Sequence, residues 1–289
     1  MKTLRVPSFL IGGVASLPDL FLNAGNHRRL PRTEAKRLAE LLPPVLWDSP
    51  CFLDRLTGLW RYDFGNPFDG LPDGGFTLGT HMFQPVERLF DVLFCAQHRL
   101  TPDQLSSYLV RLADPNKHED VLMEFAPILH LSSDVQTFYE VVGYGVGNRT
   151  IDWLIKGLDC PPVLLDVKNR TRDLLESLAR TREGERDPDG TVPAPVHDTS
   201  LLFRNLEPKF EPHKPEDVLQ GAWIATHLQQ EETELVKSFA KLDRTRVHFA
   251  ILGGWEEDVY ILGGTEFMKA QLLRVFLLKE SKRFVFNRA

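Results

Sequence analysis

Residues 148–170 read NRTIDWLIKGLDCPPVLLDVKNR and contain two apolar runs that each hold an aspartate. In the first run, Ile151, Trp153 and Ile155 alternate onto one face of a strand, which places Asp152 on the other face. An unpaired carboxylate on a buried strand costs several kcal/mol, so it needs a counter-charge or a cation. The first run therefore predicts a strand with one functional or paired acid.

The second run, PPVLL, has the length of a buried strand and ends in the triplet Asp166-Val167-Lys168. Residues i and i+2 of a strand share a face, so Asp166 and Lys168 point to the same side. A divalent cation bridging Asp152 and Asp166 would relieve the cost of burying both acids, and oxygen ligands suit Mg or Mn. The two runs together predict a metal site that activates water.

A third acid lies in the stretch HEDVLMEFAPILHL, residues 118–131. On a helix, Glu124 lies on the same apolar face as Val121 and Ile128, where a carboxylate must be solvated, paired or bound to metal. Pro127 removes a backbone hydrogen bond and predicts a kink beside Glu124.

The rest of the sequence predicts an α+β protein with a mixed sheet flanked by helices, preceded by a mostly helical region at 1–115. Helices are expected at 33–42 with Thr33 as N-cap, at 84–98, and at 102–113 behind a capping box at Thr101. Residues 116–289 form the second predicted domain. Its expected order is a helix at 117–131, strands at 135–144, 148–156 and 162–168, a helix at 171–182, a mobile insertion at 183–199, a helix at 215–242, strands at 246–252 and 258–263, and a helix at 265–282.

Composition narrows the cellular setting. The three cysteines lack C-x-x-C spacing, which argues against a disulfide framework or a structural zinc site and favours the reducing cytoplasm. Apolar stretches fall short of the ~20 residues needed to span a bilayer, so no membrane partner is expected. The net charge of −6 requires any nucleic-acid contact to come from a local basic patch.

Acidic-x-lysine triplets are common by chance, and this chain has others at Glu34, Glu207 and Glu280. What distinguishes Asp166 is its position at the end of an apolar strand. The alternative is structural: Lys168 makes a salt bridge with Asp152 or Asp166 at a sheet edge, and Glu124 reaches solvent.

The arrangement resembles the core of the PD-(D/E)XK nuclease superfamily, the restriction-endonuclease-like proteins. The resemblance covers about residues 117–182 and runs helix with Glu124, strand, strand with Asp152, 13 intervening residues, strand with Asp166-x-Lys168, then helix. The sequence departs from the motif in having Ile151 in place of proline and Asp rather than Glu at 166.

The resemblance implies a restriction-endonuclease-like fold and a Mg- or Mn-dependent phosphodiester hydrolase that cleaves DNA, with endonuclease action favoured over exonuclease. It implies that Asp152, Asp166 and Glu124 hold the metal and that Lys168 completes the catalytic set by orienting water or stabilising charge. Asn169, Arg170 and Arg172, which follow the strand, are candidates for phosphate contacts, although a solvated helix start explains them equally well. Roles in restriction, phage defence, DNA repair or as an effector are compatible with this activity.

A second hypothesis is a catalytically silent relative that binds a protein or nucleic-acid partner, which the acidic net charge favours. With the nuclease activity too, the helical region at 1–115 is expected to recognise a target or a partner, such as a protein partner or a second copy of the chain. A structural protein with an incidental ion cluster at the sheet edge is the third alternative.

Overall fold

The computed structural model describes residues 30–41, 79–114, 117–157, 159–170, 199–225, 232–253, 259–263, 265–277 and 284–286. The chain divides into two compact units, Met1–Phe125 and Ala126–Ala289. The division follows Phe125, whereas the sequence predicts a boundary after residue 115. As a result, the segment that carries Glu124 belongs to the first unit.

The described part of the first unit consists of four α-helices: α1 (Arg32–Leu41), α2 (Gly79–Arg99), α3 (Pro102–Leu112) and α4 (His118–Met123). The capping box before α3 is confirmed. The Thr101 hydroxyl accepts from the Gln104 backbone N–H, and the Gln104 side-chain oxygen accepts from the Thr101 backbone N–H. The N-cap prediction for Thr33 is wrong, because α1 begins at Arg32 and already includes Thr33.

The second unit is built on a mixed sheet whose spatial order is the chain order, β1 to β7. β1–β2, β2–β3 and β5–β6 are antiparallel, and β3–β4, β4–β5 and β6–β7 are parallel. This is an α+β architecture with a mixed sheet, as the sequence predicts. The strands are β1 (Gln136–Val141), β2 (Ile151–Lys156), β3 (Val163–Asn169), β4 (Leu219–Ala225), β5 (Phe249–Leu252), β6 (Tyr260–Gly263) and β7 (Phe284–Phe286).

Helices and short 3-10 turns make up other described parts of the second unit. Its α-helices are α5 (Ser200–Phe203), α6 (Glu232–Ala240) and α7 (Glu266–Val275), and its 3-10 turns are Ala126–His130, Val146–Asn148 and Glu207–Lys209. Within the described ranges of the chain, no helix combines the length and apolarity needed to cross a bilayer.

Strand alternation gives the sheet two different faces. One face carries Leu154 on β2, Leu164 on β3 and Ala222 on β4, and it packs in one core with α5, α6 and the buried Leu206 and Phe210 beside the Glu207–Lys209 turn. The opposite face carries Trp153 and Trp223, both fully buried. Trp223 stacks on His130 at 5.4 Å between ring centroids and meets Phe276 beyond α7 at 6.1 Å.

The predicted helix at 215–242 is wrong. Residues Leu219–Ala225 instead form β4, and α6 begins only at Glu232. Every residue of β4 is buried, so the apolar-polar alternation that marks a strand is absent from its sequence. Gly221 marks a close approach of β4 to β5, because an added Cβ would lie 2.2 Å from the Phe249 carbonyl oxygen.

Two other predicted helices differ in length. The helix expected at 117–131 ends as an α-helix at Met123 and continues as the 3-10 turn Ala126–His130, so the break expected near Pro127 is present. The last helix ends at Val275 rather than near residue 282, and β7 follows it. The helix predicted at 171–182 and all of the predicted insertion except Thr199 lie outside the described residues.

Candidate active site

The site begins with two aspartates on neighbouring antiparallel strands. β2 and β3 pair Trp153 with Leu165 and Leu154 with Leu164, and the same register places Asp152 directly opposite Asp166. Both side chains lie on the face that carries Leu154 and Leu164, as the alternation predicts. Like charges directly opposite one another are destabilising in a sheet, so this pair needs compensation.

Lys168 supplies part of that compensation from the same strand as Asp166. Its Nζ lies 2.7 Å from Asp166 Oδ2, and the Lys168 side chain is 25% exposed while that of Asp166 is fully buried. The structure therefore brings together Asp152, Asp166 and Lys168, three residues that the sequence predicts to share one site. The side chain of Lys168 is the most exposed of the three.

Lys209 is a fourth member of this cluster, and no local pattern in the sequence predicts it. Lys209 closes the 3-10 turn Glu207–Lys209, and its Nζ forms an ion pair with Asp166 Oδ1 and lies 3.6 Å from Asp152 Oδ1. Lys209 does belong to an acidic-x-lysine triplet, Glu207-Pro208-Lys209. In the cluster, however, its partners are Asp166 and Asp152 rather than Glu207. In the folded protein this turn lies against the sheet face, and that position brings Lys209 next to Asp152 and Asp166.

Backbone groups fix the orientation of Asp152. Its Oδ2 accepts a hydrogen bond from the Val167 amide at 2.7 Å, which directs Oδ1 towards Lys209. All four carboxylate oxygens of the two aspartates thus face a cation or a donor. The four side chains and the Val167 amide form one connected polar cluster in an apolar surrounding, which we call the Asp-Lys cluster (Asp152, Asp166, Lys168 and Lys209).

The two carboxyl groups have opposite pKa shifts. Burial, followed by the charge of Asp166, raises the pKa of Asp152 to about 8. Burial also acts to raise the pKa of Asp166, but Lys168 and Lys209 outweigh it and hold that pKa below its ordinary value. For Lys209, burial acts to lower the pKa, and the two carboxylates outweigh it and raise that pKa. At neutral pH the cluster therefore holds an ionised Asp166 and a mostly protonated Asp152.

Of the three residues predicted to contact phosphate, the structure describes Asn169 and Arg170, which lie in different surroundings. Asn169 ends β3 and is partly buried. Arg170 donates its backbone amide to the Ala225 carbonyl at 3.0 Å and its Nη2 to the Arg204 carbonyl at 2.6 Å, so it tethers the segment that leads to Lys209. Arg172 lies outside the described residues. The phosphate contacts of all three stay predictions.

Glu124 has a partner inside the first compact unit. Its Oε1 accepts from Arg111 Nη1 at 3.1 Å, and its Oε2 accepts from Arg111 Nη2 at 3.0 Å. This two-point pairing satisfies both oxygens, and it is one of the outcomes expected for a glutamate on an apolar face. Its role as a third acid of the metal site stays a prediction.

The donor set of the Asp-Lys cluster can be tested against the requirements of a metal. Among the described residues, no group of three or more His, Cys, Asp and Glu side chains is arranged to hold a metal ion. Mg, however, is commonly bound by one or two carboxylates together with water and substrate phosphates. Asp152 and Asp166 meet that smaller requirement, provided that the Lys209 ammonium moves from between them.

Comparison of the chain with protein-family models, curated proteins and solved structures gave no match. The interpretation of the site therefore depends on its residues and their geometry.

Proposed function

We propose that the protein is a Mg-dependent nuclease that hydrolyses phosphodiester bonds, with DNA as the favoured substrate. The observation that carries this proposal is the convergence of Asp152 with Asp166 and Lys168 from adjacent strands, at the spacing of the PD-(D/E)XK motif. The meander β1-β2-β3, with an acid on β2 and Asp-x-Lys at the end of β3, also supports a restriction-endonuclease-like fold.

Each residue of the cluster has a distinct task in this proposal. Asp152 and Asp166 would hold one or two Mg ions, whose chemistry is to polarise the scissile phosphate and lower the pKa of a water molecule. Lys168 is partly exposed beside Asp166, so it can donate to the attacking water or to a phosphate oxygen as negative charge develops. Burial of Asp166 limits competing water and strengthens these electrostatic effects.

The test is cleavage of duplex DNA, single-stranded DNA and RNA with Mg or Mn by the whole chain. Replacing Lys168 with alanine should leave nucleic-acid binding nearly intact and reduce cleavage by at least ~100-fold, the scale of losing one preorganised electrostatic group. Lys214→Ala is the matched control, because Lys214 is an exposed lysine that follows the Glu207–Lys209 turn. Comparable losses in the two variants would contradict a role for Lys168 in the chemistry.

A second candidate function is a silent nuclease-fold protein that binds a protein or nucleic-acid partner. The observation that favours it is that Lys168 and Lys209 both form ion pairs with Asp166, so the cluster has cations of its own. A protein of this kind would show no cleavage of any of the three substrates although metal binding was demonstrated. That result would replace the nuclease proposal with the binding function.

A further inference from the structure

Lys209 stands at the position where a cation would bridge the two aspartates. The oxygens Asp152 Oδ1 and Asp166 Oδ1 both face its Nζ, whereas Lys168 contacts only Asp166 Oδ2. The remaining oxygen, Asp152 Oδ2, accepts from the Val167 amide. The pair of oxygens available to bridge a metal is therefore the pair that Lys209 holds.

An ammonium group and a divalent ion cannot both lie between the same two carboxylate oxygens, because their charges repel at contact distance. Resting on the proposed metal-dependent function, we propose that Lys209 is a resident counter-cation of the metal site. A divalent ion binds to Asp152 and Asp166 by displacing its ammonium group. The resting site is thereby kept closed to metal by a residue of the same chain.

The displacement requires a side-chain movement only. Leu206 and Phe210 are fully buried on either side of the turn, and the Pro208 and Phe210 carbonyls accept from Arg149 at 3.1 Å and from Arg246 at 2.7 Å. These contacts hold the backbone in place. The Lys209 side chain is 17% exposed and has four flexible carbons, so its ammonium has a route to solvent.

Lys168 allows charge and position to be separated. Lys168→Met and Lys209→Met each remove one positive charge from the same cluster. Only the second variant clears the space between the two Oδ1 atoms. An effect of local charge alone would be similar in the two variants, whereas competition for the metal position would be specific to Lys209.

The experiment is titration of the whole chain with Mn²⁺, with free Mn²⁺ measured by electron paramagnetic resonance. We expect Lys209→Met to bind Mn²⁺ at least about tenfold more tightly than wild type. The repulsion between an ammonium group and a divalent cation about 4 Å apart is large enough to lower the affinity by more than that factor. Lys168→Met should gain less than Lys209→Met. Lys214→Met should match wild type, and Asp166→Asn should lose binding.

A second measurement uses the wild-type chain and so does not depend on the variant folding. An amine-reactive reagent followed by mass spectrometry reports the labelling of Lys209 with and without Mn²⁺. Displacement predicts a several-fold increase in Lys209 labelling on adding Mn²⁺. Labelling of the exposed Lys214 should stay constant.

The outcomes separate this inference from the function on which it rests. If wild type binds Mn²⁺ but Lys209→Met binds no more tightly and Lys209 labelling does not rise, Lys209 is not a competitor and the metal site stands. If neither wild type nor Lys209→Met binds Mn²⁺, the proposed metal-dependent function fails and the inference with it. Binding by Lys209→Met alone would support the inference in its strongest form.

Discussion

Two of the polar clusters in the described part of the second unit lie beside the sheet and are held together in different ways. The first is the Asp-Lys cluster. The second, which we call the Gln-His cluster, consists of Gln220 on β4 with His248 and His213. Both lie among buried apolar residues, and Asp166 and Gln220 are each fully buried.

Neutral groups and main-chain atoms make the hydrogen bonds of the Gln-His cluster, in which the buried Gln220 Oε1 has no hydrogen-bond partner among the described residues. Gln220 Nε2 donates to the carbonyls of Glu211 at 2.6 Å and Thr245 at 3.2 Å. His248 Nδ1 accepts from the Gln220 backbone N–H at 3.2 Å, which leaves Nε2 to donate to the His213 carbonyl at 3.0 Å. Because its partners are mostly main-chain atoms, this cluster fixes the backbone and offers little to a ligand.

Charges on side chains satisfy the Asp-Lys cluster instead. If Lys209 moves away as we propose, the carboxylates of the cluster become available to another cation. A backbone-bound neutral network is typical of structure, whereas a side-chain network of ions is exchangeable. We therefore expect substitutions in the two clusters to change the unfolding free energy by different amounts and with a different dependence on pH.

The largest effect is expected from Asp166→Ala. Two lysines would lose their shared buried carboxylate, and breaking a buried ion pair from one side costs about 3 kcal/mol of unfolding free energy. Urea unfolding at pH 7 measures the change. A variant as stable as wild type would show that the lysines rehydrate freely and that the cluster contributes nothing to folding.

The Gln-His cluster should respond less. Gln220→Met keeps the volume but removes two donors to carbonyl oxygens, which predicts a loss of about 1–2 kcal/mol. The same urea measurement applies, with Mn²⁺ affinity as the control. A change in Mn²⁺ affinity would contradict the assignment of this cluster to structure alone.

The pH dependence of stability should have opposite signs for Asp152 and His248. The pKa of Asp152 is raised from its unfolded value of 3.8 to about 8, so its contribution to stability is complete below pH 3.8 and is lost as the pH rises to about 8. Burial lowers the pKa of His248 from 6.5, so its contribution is present above pH 6.5 and is lost as the pH falls through its folded value.

Unfolding of Asp152→Asn and His248→Gln from pH 4 to pH 9 tests these signs. Relative to wild type, Asp152→Asn should become progressively more stable towards pH 9, because asparagine never has to ionise. His248→Gln should remove the loss of stability at acid pH. Parallel pH profiles for Asp152→Asn and wild type would contradict the raised pKa of Asp152.

The sequence predicted the part of the site that depends on short-range geometry. Asp152, Asp166 and Lys168 lie on strands that are neighbours in the chain, so alternation alone placed them on one face. Lys209 reaches the same face from a turn far along the chain, and no local pattern encodes that approach. Its apolar neighbours Leu206 and Phe210 show burial only once the fold is known.

The error at β4 has a related cause. A strand buried on both faces has no polar alternation, and the run around Leu219–Ala225 is then equally compatible with a helix. Gly221 was the available signal, since a glycine inside an apolar run is typical of close approach between backbones. In the structure its neighbour is the Phe249 carbonyl.

The smallest effect concerns the ion pair of Glu124 with Arg111, whose side chains are 15% and 31% exposed. Glu124→Gln should lower the unfolding free energy by about 0.5–1 kcal/mol, the range of partly exposed pairs. Its Mn²⁺ affinity should stay within about twofold of wild type if the pair is the only role of Glu124. Loss of Mn²⁺ binding would instead support the role of Glu124 as a third acid.

The strand pairings also set an order of folding. β2 and β3 join residues 155 and 163, whereas the parallel pairing of β3 with β4 joins residues 163 and 219. Because pairing of distant segments is slow, the meander with both aspartates should form before the segment around Lys209 arrives. During that interval the two carboxyl groups face each other without one of their cations. Refolding should therefore slow as the pH rises above about 8, where Asp152 no longer keeps its proton beside Asp166.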